Sequence, residues 1–207
     1  MGVYVFGAGG HAKVVVSTLL ALGQKIIGLF DDDPQKWGGY VLGVPVLGPI
    51  AKAHDLSPAS GVVAIGDNHL RVKVVKEFPD WDWIVVVHPR AYVDPTATVG
   101  PGTVVFAGAV VQVGARLGAH VIVNTGATID HDCSVGSFVH IAPGVRLGGG
   151  VWVEEGAFIG IGAAVIPGIR IGAWSIVGAG AAVIRDVAPG STVAGVPARP
   201  LPKREEI

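Results

Sequence analysis

From Val93 to Val183 every sixth residue is Val, Ile or Leu, sixteen positions without an exception. Neither ordinary element explains such a run, because a helix repeats its apolar face about every 3.6 residues and a half-buried strand about every 2. A fixed period held over this length marks a repeat architecture, in which each unit buries its apolar face against its neighbours. Four residues after each aliphatic position stands a small or β-branched one, among them Ala97, Thr103, Ala109, Ala115, Val121, Ala127 and Cys133, with glycine frequent in between. The pattern predicts a parallel β-helix of hexapeptide repeats. Three hexapeptides make one triangular coil, so residues 18 apart stack. Each aliphatic side chain inside the prism then contributes about 1.5–3 kcal/mol. Cys133 falls on the small inward position, which makes it a core side chain rather than a nucleophile or a metal ligand.

Residues 1–88 follow a different grammar. Apolar runs at 3–6, 25–30, 61–65 and 83–87 read as strands, and residues 12–22 carry helical spacing. The chain therefore reads as an α/β Rossmann-like domain over 1–88 followed by a β-helix domain over 89–207. Ligands of such open sheets bind at the carboxyl ends of the strands. There stand Gly7, Gly9, Gly10 and His11 after the first strand, Asp31 and Asp32 after the second, and Gly66 and Asn68 after the third. Glycines let a backbone approach a pyrophosphate, and the helix that follows offers aligned N–H groups. The acidic pair lies about 20 residues on, where a Rossmann domain holds a ribose. On the residues alone, an NAD site and an empty glycine turn in a structural βα unit both fit.

Charge gives no global field. Lys and Arg number 15 and Asp and Glu 16, so nothing draws in nucleic acid or an anionic membrane. One cysteine excludes an internal disulfide framework and fits a reducing, cytoplasmic setting. The most apolar stretch, 156–184, is split by Arg170 and weakened by Pro167 and several glycines, so it does not read as a membrane span. Glycines at 7, 9 and 10 fall where the core of a signal peptide would be.

With inward positions filled, chemistry in the second half falls to outward side chains. His131 sits two places after inward Ile129, between Asp130 and Asp132. An imidazole whose tautomer is fixed by a carboxylate is a suitable general base. Eighteen residues after it comes Gly149, in a run of three glycines. No side chain is expected above the imidazole, and backbone N–H there is suited to a developing oxyanion. Asn124 and His140, outward on neighbouring hexapeptides, are the next polar candidates, ahead of His120 and His88.

GAGGHAK at 7–13, FDDD at 30–33, AIGDN at 64–68, NTGATIDHDC at 124–133 and AGVPARP at 194–200 together carry a family likeness. The chain resembles the sugar acyltransferases of the sialic acid O-acetyltransferase and bacillosamine-pathway N-acetyltransferase group, within the left-handed β-helix acyltransferases. The resemblance implies a left-handed coil, a homotrimer, and an N-terminal domain that takes a nucleotide-linked amino sugar instead of NAD. It also implies acetyl-CoA as cosubstrate, bound along the β-helix between subunits, and no metal. By position His131 is the expected base and Asp132 its acidic partner, with Asn124 and His140 beside them. The nucleotide sugar would be held by Gly9, Gly10, His11, Asp31, Asp32, Gly66 and Asn68. CoA would lie against His140, Gly149, Ala164, Gly195, Val196 and Pro197, with Arg199 or Lys203 near its phosphates. The expected activity is N-acetylation of a nucleotide-linked amino (dideoxy) sugar, in glycan or surface-polysaccharide synthesis. Sugar O-acetylation is the near alternative. A γ-type carbonic anhydrase would need three histidines on zinc, and His131 and His140 lack a third at short spacing. A non-catalytic nucleotide-sensing trimer would have no use for an outward histidine beneath a glycine.

Overall fold

A computed structural model describes residues 2–56 and 58–202 and divides into two compact units, Met1–Pro89 and Arg90–Ile207. In the first, β1 (Val3–Phe6) leads into α1 (Gly10–Ala21) and β2 (Ile26–Phe30). A short hairpin of β3 (Tyr40–Val41) and β4 (Val44–Gly48) follows, then β5 (Ser60–Val63), α2 (Asn68–Glu77) and β6 (Asp82–Trp83). The sheet order is β3-β4-β2-β1-β5-β6, parallel except where β3 runs against β4. Helix α1 buries Ala12, Val15, Val16 and Leu19, one face at helical spacing, and stops where Gly23 takes φ +66. Phe6, Phe30, Phe78, Trp81 and Trp83 form an aromatic core, with Phe6 edge-on to Trp81 at 4.8 Å.

Two features depart from the sequence reading. The hairpin of β3 and β4 closes through Leu42 and Gly43, both at positive φ, a turn that fits the twist of antiparallel strands. The expected single strand over 83–87 is two pieces: Asp82–Trp83 joins this sheet, and Val86–Val87 does not.

The second unit is the left-handed parallel β-helix, an exception to the usual right-handed crossover. Its two-residue strands stack with an 18-residue register, as in Val110↔Thr128↔Arg146↔Ala164↔Ala182 along one face. From Val105 to Val183 every aliphatic residue of the six-residue series is buried, and Ala109, Ala115, Val121, Ala127 and Cys133 point inward with them. Backbone N–H groups reach the next coil, as from Asn124 to the Ile141 carbonyl at 2.9 Å. From Gly102 to Gly180 the corner at every sixth residue turns through a left-handed residue. Glycine fills most of these positions, but His120, Asp132, Phe138 and Trp174 take positive φ as well. His120 is buried and stacks on Phe138 with ring centroids 5.1 Å apart. It packs at the corner.

Candidate functional site

In the first unit, the carboxyl ends of β1, β2 and β5 open into a cavity of about 410 Å³. Gly7, Gly9, Gly10, His11, Asp31, Asp32 and Gly66 all line it, seven of the eight residues that the sequence places at these strand ends. At Gly7 the chain takes φ +107, and a Cβ would stand 2.9 Å from the Ala64 carbonyl oxygen, so only glycine passes between β1 and β5. At Gly9 and Gly10 a Cβ would meet nothing within 4 Å; their bare backbone is what faces the cavity.

Asp31 is committed to its own loop. Its carboxylate accepts from Ala8 N–H at 2.6 Å, Asp33 N–H at 2.9 Å and Lys36 Nζ at 3.0 Å. Burial pushes its pKa up, but these hydrogen bonds and the Lys36 charge prevail and hold it below the ordinary aspartate value. Asp32 likewise accepts from Ile50 N–H at 2.9 Å. The acidic pair therefore shapes the cavity before any ligand arrives. Asn68 is buried at the start of α2, with Oδ1 accepting from Arg71 Nη2 at 2.8 Å, and is not among the residues that line the cavity. Sequence reasoning also missed the wall that α2 supplies, Leu70, Lys73, Val74 and Glu77. Their i, i+3, i+4, i+7 spacing was the available signal.

In the second unit, His131 stands at the corner after the strand Thr128–Ile129, with its side chain 56% exposed. Its Nδ1 lies 2.8 Å from Asp132 Oδ2. A carboxylate only accepts, so Nδ1 carries the proton and Nε2 keeps its lone pair. The hydrogen bond to Asp132, then the charge of Asp130, raises the His131 pKa. Asp132 reaches this position by adopting φ +58, which aspartate tolerates better than most residues. Asp130 Oδ1 accepts from the His131 N–H at 2.7 Å, pinning the backbone.

Gly149 lies above, as the register requires, and the space it leaves is filled by the imidazole itself. A Cβ there would stand 2.5 Å from His131 Nε2. Among the described residues no acceptor takes the Gly149 N–H. Asn124 and His140 belong to another face of the prism. Asn124 Nδ2 is 3.3 Å from His140 Nε2, and His140 is buried, edge-on to Phe158.

Beside His131, on the face of Val110, Thr128, Arg146 and Ala164, runs a groove of about 380 Å³, bounded by Asp130 and Gly148. One coil further, Ala182 donates its N–H to the Gly195 carbonyl and accepts from the Ala198 N–H. This brings the turn containing Gly195, Val196 and Pro197 over the same face. Arg199 pairs back, antiparallel, on Ala194. Lys203 lies outside the described residues. Gln112, Asp130 and Arg146 were not anticipated, although 18-residue stacking already placed Arg146 between Thr128 and Ala164.

Residues 2–78 match the PglD N-terminal domain family. A variant of perosamine N-acetyltransferase from Caulobacter crescentus, solved with CoA and GDP-perosamine, is 40% identical with a TM-score of 0.92, covering 98% of each chain. The acetyltransferase domain of PglB from Neisseria gonorrhoeae, solved with acetyl coenzyme A, is 41% identical with a TM-score of 0.91, over 97% of this chain and 98% of that one. WeeI from Acinetobacter baumannii is 26% identical with a TM-score of 0.87, over 97% and 100%. An uncharacterized protein, L142, of Acanthamoeba polyphaga mimivirus is 34% identical over 121 residues, 58% of this chain and 24% of its own length, so the chain spans about a quarter of that relative. With a glycine-turn cavity in its α/β unit, a carboxylate-bound histidine on its coil and likeness over nearly all of its length to a perosamine N-acetyltransferase and to the PglB acetyltransferase domain, the chain belongs to the hexapeptide-repeat, left-handed β-helix family of sugar N-acetyltransferases.

Proposed function

We propose that the protein transfers the acetyl group of acetyl-CoA to the amino group of a nucleotide-linked sugar. The observation that carries this reading is the His131–Asp132 pair, 2.8 Å apart, on an exposed corner beside a side-chain-free glycine. Nδ1–H donates to Asp132, which leaves Nε2 free to take a proton from the sugar amine as its nitrogen attacks the thioester carbonyl carbon. The tetrahedral oxyanion is received by backbone N–H, with Gly149 as the assigned donor. Collapse breaks the C–S bond, CoA leaves as thiolate, and the proton held by His131 neutralises it. No acyl-enzyme is required. Asp132 orients the ring and favours the imidazolium formed during transfer.

The nucleotide sugar is assigned to the glycine-turn cavity, with Gly9, Gly10 and His11 toward the phosphates and Asp32 and Gly66 on the walls. CoA is assigned to the groove along Ala164, extended by Gly195, Val196 and Pro197. In a homotrimer, Asn124 and His140 of an adjacent subunit would complete the site, which on one chain is open to solvent. The proposed use of nucleotide sugars and acetyl-CoA supports a cytoplasmic setting. No helix among the described residues is long and apolar enough to cross a membrane.

An amine acceptor is preferred over a hydroxyl because the relative solved with CoA and GDP-perosamine is named an N-acetyltransferase. The deciding experiment supplies acetyl-CoA with GDP-, UDP- and dTDP-linked amino sugars and follows thiol release. Release with an amino sugar but not with its hydroxyl counterpart is expected. Release only with the hydroxyl compound would replace this reading by O-acetylation.

A further inference from the structure

The cavity in the α/β unit presents a charge problem. Its lining includes three carboxylates, Asp31, Asp32 and Glu77, against the ammonium of Lys73; Asp31 is paired from outside the lining with Lys36 Nζ at 3.0 Å, which leaves Asp32 and Glu77 against one lining cation. The pyrophosphate of a nucleotide sugar, entering there, meets like charge at close range. A cation stands behind the wall. Arg71, on α2, is 1% exposed and is not among the residues that line the cavity. Its Nη1 donates to the carbonyl oxygens of Ile65 at 3.1 Å, Gly66 at 3.4 Å and Asp67 at 3.5 Å, and its Nη2 to Asn68 Oδ1 at 2.8 Å.

Burial pushes the Arg71 pKa down to about 10, and Asp67 opposes the fall, so the group is charged at neutral pH. An apolar side chain would fill this space without the cost of desolvating a cation. The guanidinium is therefore expensive for the fold, and its position points to what it does. Ile65 and Gly66, two of the residues it grips, form the cavity wall. A trans peptide sets C=O and the following N–H on opposite sides, so carbonyls drawn toward Arg71 turn the N–H groups of Gly66, Asp67 and Asn68 away from it.

We propose that Arg71 is a positioning residue of the nucleotide site: a buried cation that holds the Ile65 and Gly66 wall and supplies, through it, the positive potential that receives the pyrophosphate. The inference rests on the reading that this cavity takes a nucleotide-linked sugar. A charge acting through the protein interior is screened less by salt and water than one on the surface.

The test is Asn68→Asp. The new carboxylate replaces an amide oxygen already 2.8 Å from Nη2, so the clamp keeps its shape while its charge is offset. A purely structural arginine would gain an ion pair, and Arg71→Lys and Arg71→Gln would then bind the diphosphate alike. The proposal expects the Kd of GDP or UDP, measured by calorimetry, to rise about tenfold, with the KM of acetyl-CoA unchanged. Arg71→Lys keeps the charge with fewer donors and should bind the diphosphate within about threefold of wild type, while Arg71→Gln loses about tenfold. If Arg71→Gln does not fold, Asn68→Asp and Arg71→Lys decide. Wild-type binding that persists unchanged in Asn68→Asp overturns the proposal alone. Failure of the wild-type chain to bind either diphosphate overturns the reading of the cavity, and this proposal with it.

Discussion

His131 is held from two sides: Asp132 fixes its proton, and Gly149 leaves the space its ring occupies. His131→Ala should lower kcat by about 10²–10⁴-fold, with the fold intact because the side chain is exposed. Its pKa is raised by the Asp132 hydrogen bond first and the Asp130 charge second, and a base works only when neutral. The rate should therefore rise with pH along a limb above the ordinary imidazole value. Asp132→Asn should move that limb down, and His131→Ala should abolish it; a pH–rate profile of the three proteins checks this. A limb that stays in place in Asp132→Asn would refute the role given to the carboxylate. Gly149→Ala is the steric counterpart. The added Cβ would stand 2.5 Å from Nε2, and only the imidazole can give way. Displacing a catalytic group by about 1 Å costs on the order of 10²-fold in kcat, and the thermal midpoint should hardly change. Retained activity in Gly149→Ala would mean that the ring works from another position.

At the level of elements, the hexapeptide coil and the glycine turn respond differently to substitution. Ile159 is fully buried in the prism, and Ile159→Ala should cost about 2–5 kcal/mol. Trp152, one position earlier in the preceding hexapeptide and 53% exposed, faces outward under Arg170. Trp152→Ala should cost far less, about 1 kcal/mol or below, as denaturant midpoints would show. In the glycine turn, Asp31 ties Ala8 on β1's exit to Lys36 and Asp33 beyond β2. Asp31→Asn should raise the KM for the nucleotide sugar and lower stability at neutral pH. Because the folded pKa is depressed, the carboxylate stabilises above the unfolded value and ceases to as pH falls through the folded one. The stability gap between wild type and Asp31→Asn should therefore close in acid, below the ordinary aspartate range. A gap that persists there would show that charge is not its origin.

For the molecule as a whole, acceptor recognition and acetyl-CoA recognition are assigned to separate units. Gly9→Trp tests this division, since a side chain at Gly9 meets nothing of the protein within 4 Å and extends into open space at the cavity. The KM for the nucleotide sugar should rise about tenfold or more, while that for acetyl-CoA stays near its wild-type value; equal losses in both would contradict the assignment. The proposed trimer predicts three times the chain mass by light scattering at working concentration. A fully active monomer would require all catalytic groups to come from one chain.

The sixteen-position aliphatic period determined the β-helix without help from elsewhere, because each residue's inward or outward direction follows from its place in the hexapeptide and its stacking partner lies 18 residues away. Through that rule alone His131 was placed outside and Gly149 above it. The glycine turn was as legible, since positive φ and close approach to Ala64 leave few residues that fit at Gly7. Where no period governs, the hydrogen-bond partner decided, sometimes within a turn of chain and sometimes across the sheet. Asn68 turned inward because the buried guanidinium of Arg71 needs acceptors, and Asp31 was taken up by Ala8, Asp33 and Lys36. His140 alternates outward along its strand, yet Phe158 helps to bury it. Lys73 and Glu77 became cavity wall only because α2 lies across the ends of β1 and β5. Sequence specifies which side of an element a residue occupies, while the partner it meets there depends on elements brought together from elsewhere in the chain.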